Sequence, residues 1–366
     1  MGKYKICVYG VCKNEEKFAK RCMDSLKDAD LVVFGDTGST DNTVAILRDC
    51  GAKVYEIPVK PWRFDVARNA CLEKIPEDID ICVCIDIDEV LEDGWREALE
   101  SVWEKDTNRA NYLYIWKFNP DGSPGVWYYH ERIHSRHNYR WIYPTHEVLE
   151  YLGEGREKWC LAKDLIFKHY PDTNKSRSFN LSLLELAVNE NPNNVRNINY
   201  LGREYYFMGK WDKAIETLEK YLSLKDATWK EERSFALRYI ACCYKEKGEL
   251  DTAKLYLLKA ISEAPNMREP YVEMARLAYL EKDWNLILIM IKLALEIKEN
   301  TTNHHNEQFA WNETPYDLAS LAYYYTGDYN KSLKYALEAL KISPNDERIK
   351  NNFNIIKNSV NNEFVI

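Results

Sequence analysis

The sequence predicts two domains of different class: an α/β domain with a mostly parallel, doubly wound (Rossmann-like) sheet over residues 1–176, and an all-α helical-repeat solenoid over 177–366. Three observations carry this. Short apolar runs alternate with helix-like segments in the first half, the pattern of a parallel sheet wound with helices. Strand signals then vanish after about residue 177. Beyond that point helical pairs recur, as they do in stacked repeats. At 366 residues the chain is long enough for two domains that each bury a core.

In the first half, residues 4–9 read as a strand, and Asn14 opens a helix to about residue 27. Residues 31–34 form a second strand, and Thr40 or Asp41 caps a helix over 42–50. A third strand over 53–57 ends at Pro58, and a helix near 64–74 leads into a fourth apolar run, 81–85. From about Asn111 the pattern becomes aromatic and β-rich, with strands expected at 112–116, 126–129 and 140–143. Strands added late to such a sheet build the second wall of its cleft.

In the second half, helices are expected at 196–208 with 211–224, 232–247 with 250–263, 268–281 with 283–298, and 315–326 with 328–342. Each first helix carries a small residue (Gly202, Ala241, Ala275, Ala319) where paired helices approach closely. Ala241 to Ala275 spans 34 residues, the period of a tetratricopeptide repeat. The longer intervals place polar loops at 225–232 and 299–313, and Pro265 and Pro344 close their units. A polar capping helix is expected over 345–359, with a fraying tail beyond it.

Composition narrows the function. A formal net charge of −8 argues against a nucleic-acid-binding surface, which needs a basic stripe. No apolar run reaches membrane-spanning length, and Lys13, Glu15 and Glu16 follow the first strand too soon for a secretory signal. Ten cysteines in a chain of this length, several inside strand or helix patterns, read as reduced core thiols of a cytoplasmic protein.

The chemistry gathers at Asp86-Ile87-Asp88-Glu89. In open α/β sheets, ligands bind beyond the carboxyl ends of the strands. Two carboxylates leaving the fourth strand there can share a hard divalent cation and the phosphate oxygens it carries. The competing structural reading is an acidic turn that caps the following helix.

Three further motifs precede this one: Lys13-Asn14-Glu15-Glu16 after the first strand, Asp36-Thr37-Gly38-Ser39-Thr40-Asp41-Asn42-Thr43 after the second, and Phe64-Asp65-Val66-Ala67-Arg68-Asn69 before the fourth. Together the four motifs resemble a family 2 glycosyltransferase of the GT-A fold, in the subgroup that carries tetratricopeptide repeats behind the catalytic domain and glycosylates peptides or proteins. The resemblance implies an inverting transfer of a sugar from a nucleotide-sugar, with a UDP-sugar as donor and Mn²⁺ or Mg²⁺ as cofactor. It implies a nucleotide pocket lined by Tyr9, Asn14, Glu15, Asp36, Ser39, Asp65, Arg68 and Asp86. One departure is visible. Thr37 stands where the family's commoner motif has a second aspartate, so Asp36 must read the base alone.

Each position also has a plainer reading. Asp36 can accept the imide N–H of a uracil beside the turn at Gly38, or cap a helix; Asn14 and Glu15 can line the pocket or cap the first helix. Arg68 can reach the nucleotide or pair with Asp65 at i, i+3. Asp88 is expected as the direct metal ligand and Asp86 as a ribose or water-mediated contact. For the third ligand, His146 competes with His169, and a lone histidine is usually structural. In Pro144-Thr145-His146-Glu147, Glu147 is the first candidate for the base that activates the acceptor and His146 the second. Arg132 and Arg136 either neutralise the diphosphate or pair with acids on a strand face.

Two other classes fit part of the pattern. Phosphatases of the haloacid-dehalogenase type share Asp86-x-Asp88-x-Val90, but there the motif lies on the first strand and here three βα units precede it. A non-catalytic scaffold would not need Asp36, Arg68, Asp86 and Asp88 together. The repeats imply a peptide or protein acceptor held in a groove, or a homodimer formed through the helices.

Overall fold

The computed structural model describes residues 2–119, 121–172, 178–299 and 307–363. The expected loop over 299–313 therefore falls partly outside the described residues, as do the last three residues of the tail. The chain divides into two compact units, Met1–Glu190 and Asn191–Ile366.

In the first unit β1 (Ile6–Cys12), α1 (Glu16–Asp24), β2 (Leu31–Asp36), α2 (Thr43–Asp49), β3 (Lys53–Glu56), α3 (Phe64–Leu72) and β4 (Ile81–Cys84) follow the expected order. They are followed by β5 (Glu89–Leu91), α4 (Trp95–Val102), β6 (Arg109–Phe118), β7 (Pro124–Ser135), β8 (Tyr139–Ile142), β9 (Val148–Tyr151), β10 (Trp159–His169) and α5 (Ser178–Glu190). Eight strands form one sheet in the order β3-β2-β1-β4-β7-β6-β10-β5, and β8 pairs with β9 apart from it. The first four are parallel; β7 joins β4 antiparallel, β6 joins β7 antiparallel, and β10 runs parallel to β6. The α/β expectation holds, with a mixed half added to the parallel one.

The central strands are apolar throughout because both faces are covered. Ile6, Val8, Phe34, Val83 and Ile85 join one core with Ala19 and Leu47; Cys7, Tyr9, Val33, Cys82 and Cys84 join another with Cys71, Leu72 and Trp141. All ten cysteines are free thiols. Burial pushes Cys84 up to about 11 and Cys71 up to about 12, which keeps them protonated and inert. Gly10 in β1 is required by close approach, since a Cβ there would lie 2.2 Å from the Ile85 carbonyl oxygen at the end of β4.

The second unit is helical. Pairs α6/α7 (Val195–Phe207, Trp211–Ser223), α8/α9 (Lys230–Glu246, Leu250–Glu263), α10/α11 (Glu269–Glu281, Trp284–Glu296) and α12/α13 (Thr314–Tyr325, Tyr329–Ile342) are capped by α14 (Glu347–Glu363). The cap runs four residues past the expected end at 359. A Cβ on Gly202 would sit 2.5 Å from Leu218 Cδ2 of the partner helix, which is why the pair needs a minimal residue at that crossing. No described helix is long and apolar enough to cross a membrane.

Candidate active site

Beyond Cys84 the chain leaves β4 through Ile85 and re-enters the same sheet at Glu89, so Asp86 and Asp88 lie on the link at the strand's carboxyl end. Asp86 sits between two guanidinium groups: Arg68 Nη2 donates to Oδ1 at 2.8 Å and Arg132 Nη1 to Oδ2 at 2.7 Å. Burial works against its charge, but the two arginines win and hold its carboxyl far below the usual range.

The alternation continues on both sides. Arg68 also donates through Nε to Glu147 and through Nη1 to Cys84 Sγ at 3.0 Å. Arg132 also donates to Glu89, which is only 1% exposed. Glu89 takes the Tyr114 hydroxyl at 2.7 Å and the Asp86 backbone N–H at 2.9 Å. Burial pushes Glu89 up, against Arg132. A row Glu147–Arg68–Asp86–Arg132–Glu89 therefore crosses the strand end. Each charge in the row is met by the opposite one. Glu89, Arg68 and Arg132 are almost wholly out of water, which such pairing permits, while the Asp86 side chain between the arginines is 37% exposed.

Local structure aims each member. Arg68 lies on α3 and its guanidinium stacks 5.1 Å from the Trp141 ring. Asn69, beside it, exchanges two hydrogen bonds with the Trp141 backbone, both at 2.8 Å. Phe64 N–H donates to the Pro144 carbonyl at 2.9 Å. These bonds dock the loop after β8 onto α3 and bring Glu147 to Arg68. The loop bends through left-handed backbone at Tyr143 (φ 78°) and His146 (φ 50°), an uncommon conformation for such residues.

Asp88 faces a different partner. His169 Nε2 lies 3.5 Å from Asp88 Oδ2, and the Tyr170 N–H donates to the Asp88 carbonyl at 2.9 Å. Burial lowers the His169 pKa, but the contact with Asp88 outweighs it and the net shift is upward. Trp116 stacks on the His169 ring with centroids 4.4 Å apart, and is itself 44% exposed.

At the second-strand turn, Asp36 accepts the backbone N–H groups of Gly38 and Ser39 at 3.1 Å. Gly38 has φ +104°, so the tight turn requires glycine. Asn14, itself left-handed, ties the first turn to the second: its N–H donates to Ser39 Oγ at 3.0 Å and its Oδ1 accepts Thr40 N–H at 2.7 Å. Glu15 N–H donates to Thr43 Oγ1 at 2.7 Å. Thr37 Oγ1 donates to the Cys12 carbonyl at 3.1 Å.

The structure thus brings Asp86, Arg68 and Glu147 together, sets Asp88 against His169, and knits Asn14, Glu15, Asp36 and Ser39 into one double turn. It corrects three expectations. Tyr9 is fully buried; its hydroxyl accepts from Trp141 Nε1 and meets His134 Nε2, both at 2.8 Å, so it belongs to the core and does not face a nucleotide. Asp65 pairs bidentately with Arg63 (3.0 and 2.8 Å) instead of Arg68. Asp86, Asp88, His146 and His169 do not form one cage: among the described residues no three His, Cys, Asp or Glu side chains cluster tightly enough to hold a metal. For Arg136, beyond the end of β7, the structure shows the pairing alternative. It pairs with Glu77 at 3.3 Å and donates to the Ile75 and Pro76 carbonyls, and of the two arginines Arg132 is the one that reaches the carboxylate row. Glu89 carried no role in the sequence reading. Its signal was its place directly after the two aspartates.

Asp88 and His169 offer oxygen and nitrogen donors 3.5 Å apart. Octahedral coordination at about 2.0–2.1 Å puts neighbouring donors roughly 3 Å from each other, so this pair fits a divalent cation completed by phosphate oxygens and water. Asp86 accepts from one arginine at each oxygen, so its charge is already engaged and Asp88 is the less encumbered carboxylate.

Residues 7–155 match the model of glycosyl transferase family 2, and residues 240–267 and 315–346 match a tetratricopeptide-repeat model. An uncharacterized glycosyltransferase of Rickettsia bellii is 36% identical over 110 residues, covering 30% of this chain and 36% of that protein. A lipopolysaccharide core biosynthesis glycosyltransferase of Rhizobium meliloti is 32% identical over 101 residues, 26% of this chain and 36% of that protein. The chain thus spans about a third of the length of these relatives. Among solved structures, MamA is similar at 22% identity and a TM-score of 0.38, over 48% of this chain and 96% of MamA. The N-terminal part of the chain thus matches the glycosyl transferase family 2 model, and the C-terminal part matches a tetratricopeptide-repeat model.

Proposed function

We propose that this family 2 domain makes the chain an enzyme that transfers a sugar from a nucleotide-sugar to an acceptor, with inversion at the anomeric carbon. The observation that carries the reading is the charge row at the end of β4, lying beside the Asp88–His169 pair within residues that match the family model.

In this reading Asp36 reads the base. A carboxylate has about four acceptor sites, so the N–H groups of Gly38 and Ser39 leave it room for the imide N–H of a uracil, and the donor is a UDP-sugar. Asn14, Glu15 and Ser39 hold that turn rigid. Asp88 and His169 hold Mn²⁺ or Mg²⁺, which when bound supplies Lewis-acid stabilisation of the diphosphate leaving group. Arg132 and Arg68 present fixed positive charge beside it, and Asp86 keeps both in place. Glu147 is taken as the base that withdraws the acceptor's proton, and its bond to Arg68 fixes its orientation.

The acceptor is taken to be a polypeptide side chain, with the repeats holding the polypeptide or joining two copies of the chain. A second reading, a glycan acceptor, is favoured by Trp116, whose exposed indole beside His169 can stack on a pyranose ring. A panel of nucleotide-sugars with Mn²⁺, scored for release of free nucleotide, tests the donor half. UDP-sugars alone should be turned over, and no release from any donor would refute the reading. For the acceptor, a fragment ending at Glu190 that transfers to protein as well as the full chain would remove the repeats from that role.

A further inference from the structure

One segment of the helical unit occupies the surface on which such repeats receive their partners. The first helices of successive pairs, α8, α10 and α12, pack side by side. In stacked helix pairs the curvature makes one face an extended concave binding surface. Across these helices runs a short strap, Glu307-Gln308-Phe309-Ala310-Trp311, part of the long interval between the third and fourth pairs.

The strap is seated as a ligand would be. The Glu307 carboxylate accepts from Arg238 and from the Tyr239 hydroxyl, the latter at 2.9 Å. Glu307 N–H and Trp311 Nε1 both donate to Glu269 Oε1, at 3.0 and 2.9 Å. The Phe309 ring lies 4.4 Å below the Arg276 guanidinium, and the Trp311 ring 3.9 Å below that of Arg268. Ala310 is fully buried between them.

One buried charge and one buried carboxyl under the strap lack a full set of partners on the described helices. Arg238 is 4% exposed and its ion pair is with Glu307 of the strap; Glu273, the acid on α10 that also acts on it, is bonded to Lys245 at 2.8 Å. Glu269 is wholly buried, burial pushes its carboxyl up, and its Oε2 has no hydrogen-bond partner among the described residues. Burying a charge or a polar group in this way is costly unless it is paired. Here the pairing is supplied by a segment outside the repeat helices.

We propose that the inner face of α8 and α10 is a peptide-binding surface, held shut by the 307–311 strap, and that its partner is a peptide presenting a carboxylate followed by aromatic side chains at the second and fourth positions after it. Arg238 and Tyr239 receive the carboxylate. Arg276 and Arg268 receive the rings by cation–π contact, and Glu269 receives the backbone or indole N–H. The proposal concerns the helical unit alone and stands independently of the sugar-transfer reading.

The test is a titration of the full chain with a synthetic peptide of residues 307–313. Because the strap competes, the wild-type chain binds weakly. Freeing the groove in the Glu307→Gln, Trp311→Ala double variant should tighten binding by about tenfold or more, and adding Arg238→Ala should remove the gain. Equal affinity of wild type and the double variant, with helical circular dichroism intact, would overturn the proposal. If that variant unfolds, hydrogen exchange of the wild-type strap decides. Excess peptide should accelerate exchange at 308–312, and unchanged exchange overturns the idea. A wild-type dimer that the double variant converts to monomer would assign the groove to a second copy and overturn the separate partner.

Discussion

At the scale of single residues, the row of alternating charges distinguishes the two aspartates. Each Asp86 oxygen accepts from an arginine, so its charge is engaged by Arg68 and Arg132 in the folded chain itself. Glu89 anchors the row from below. Removing one partner of a buried pair leaves the other uncompensated, so Glu89→Ala should cost about 3–5 kcal/mol in urea unfolding; a loss within experimental error would show that Arg132 finds another partner. His134 gives a pH-dependent term. Its ring is fully buried between the Tyr9 hydroxyl and the Ser135 carbonyl, and burial pushes its pKa down to about 3. The unfolded chain takes up this proton near pH 6.5, so below that pH the unfolded state binds more protons and stability falls as pH falls, until the folded ring titrates near 3. Between pH 6 and 4 the wild type should therefore lose stability more steeply than His134→Gln, by up to about 1.4 kcal/mol per pH unit. Parallel pH profiles would contradict the assignment.

At the scale of elements, the parallel strands, the three helices between them and the paired repeat helices were legible in the sequence, and the site turns with them; α4 and α5 were not expected. Residues 81–85 read as a buried strand because a strand covered on both faces is apolar at every position. The elements that were not legible lack that period. β5 is three residues long, and β10 is broken where its register shifts between Ala162 and Ile166, around the polar Lys163 and Asp164. Those two strands carry Glu89 and His169, so part of the site's scaffolding was hidden with them. Arg132 and Arg136 looked equivalent by spacing; they differ because β7 ends at Ser135 and the chain turns away. Tyr9 was misassigned for a related reason, since alternation along β1 turns its side chain toward α3 and Trp141. The close approach of β1 to β4 yields a prediction at this scale. Gly10→Ala drives a Cβ against the Ile85 carbonyl, immediately before Asp86. Overpacking of this kind costs about 1–3 kcal/mol and should weaken donor binding along with stability; an unchanged melting temperature and donor affinity would show that the strand end is not held rigidly.

At the scale of the molecule, the α/β unit and the helical-repeat unit each carry a candidate binding surface. The first presents the strand-end row with Asp88 and His169; the second presents the inner face of α8 and α10 under its strap. The change in sequence pattern falls near residue 177, whereas the compact units divide after Glu190, with α5 in the first. The strap was not, because only folding brings residues 307–311 across helices that begin about 40–80 positions earlier in the chain. The central claim is that Asp88 and His169 bind a divalent cation that turnover of the nucleotide-sugar requires. The most direct measurement is nucleotide release with Mn²⁺ by wild type and by Asp88→Ala, compared at equal folded fraction. The account predicts release by wild type that a chelator abolishes, and release by Asp88→Ala lower by at least about a hundredfold. Full metal-dependent release by Asp88→Ala would contradict it.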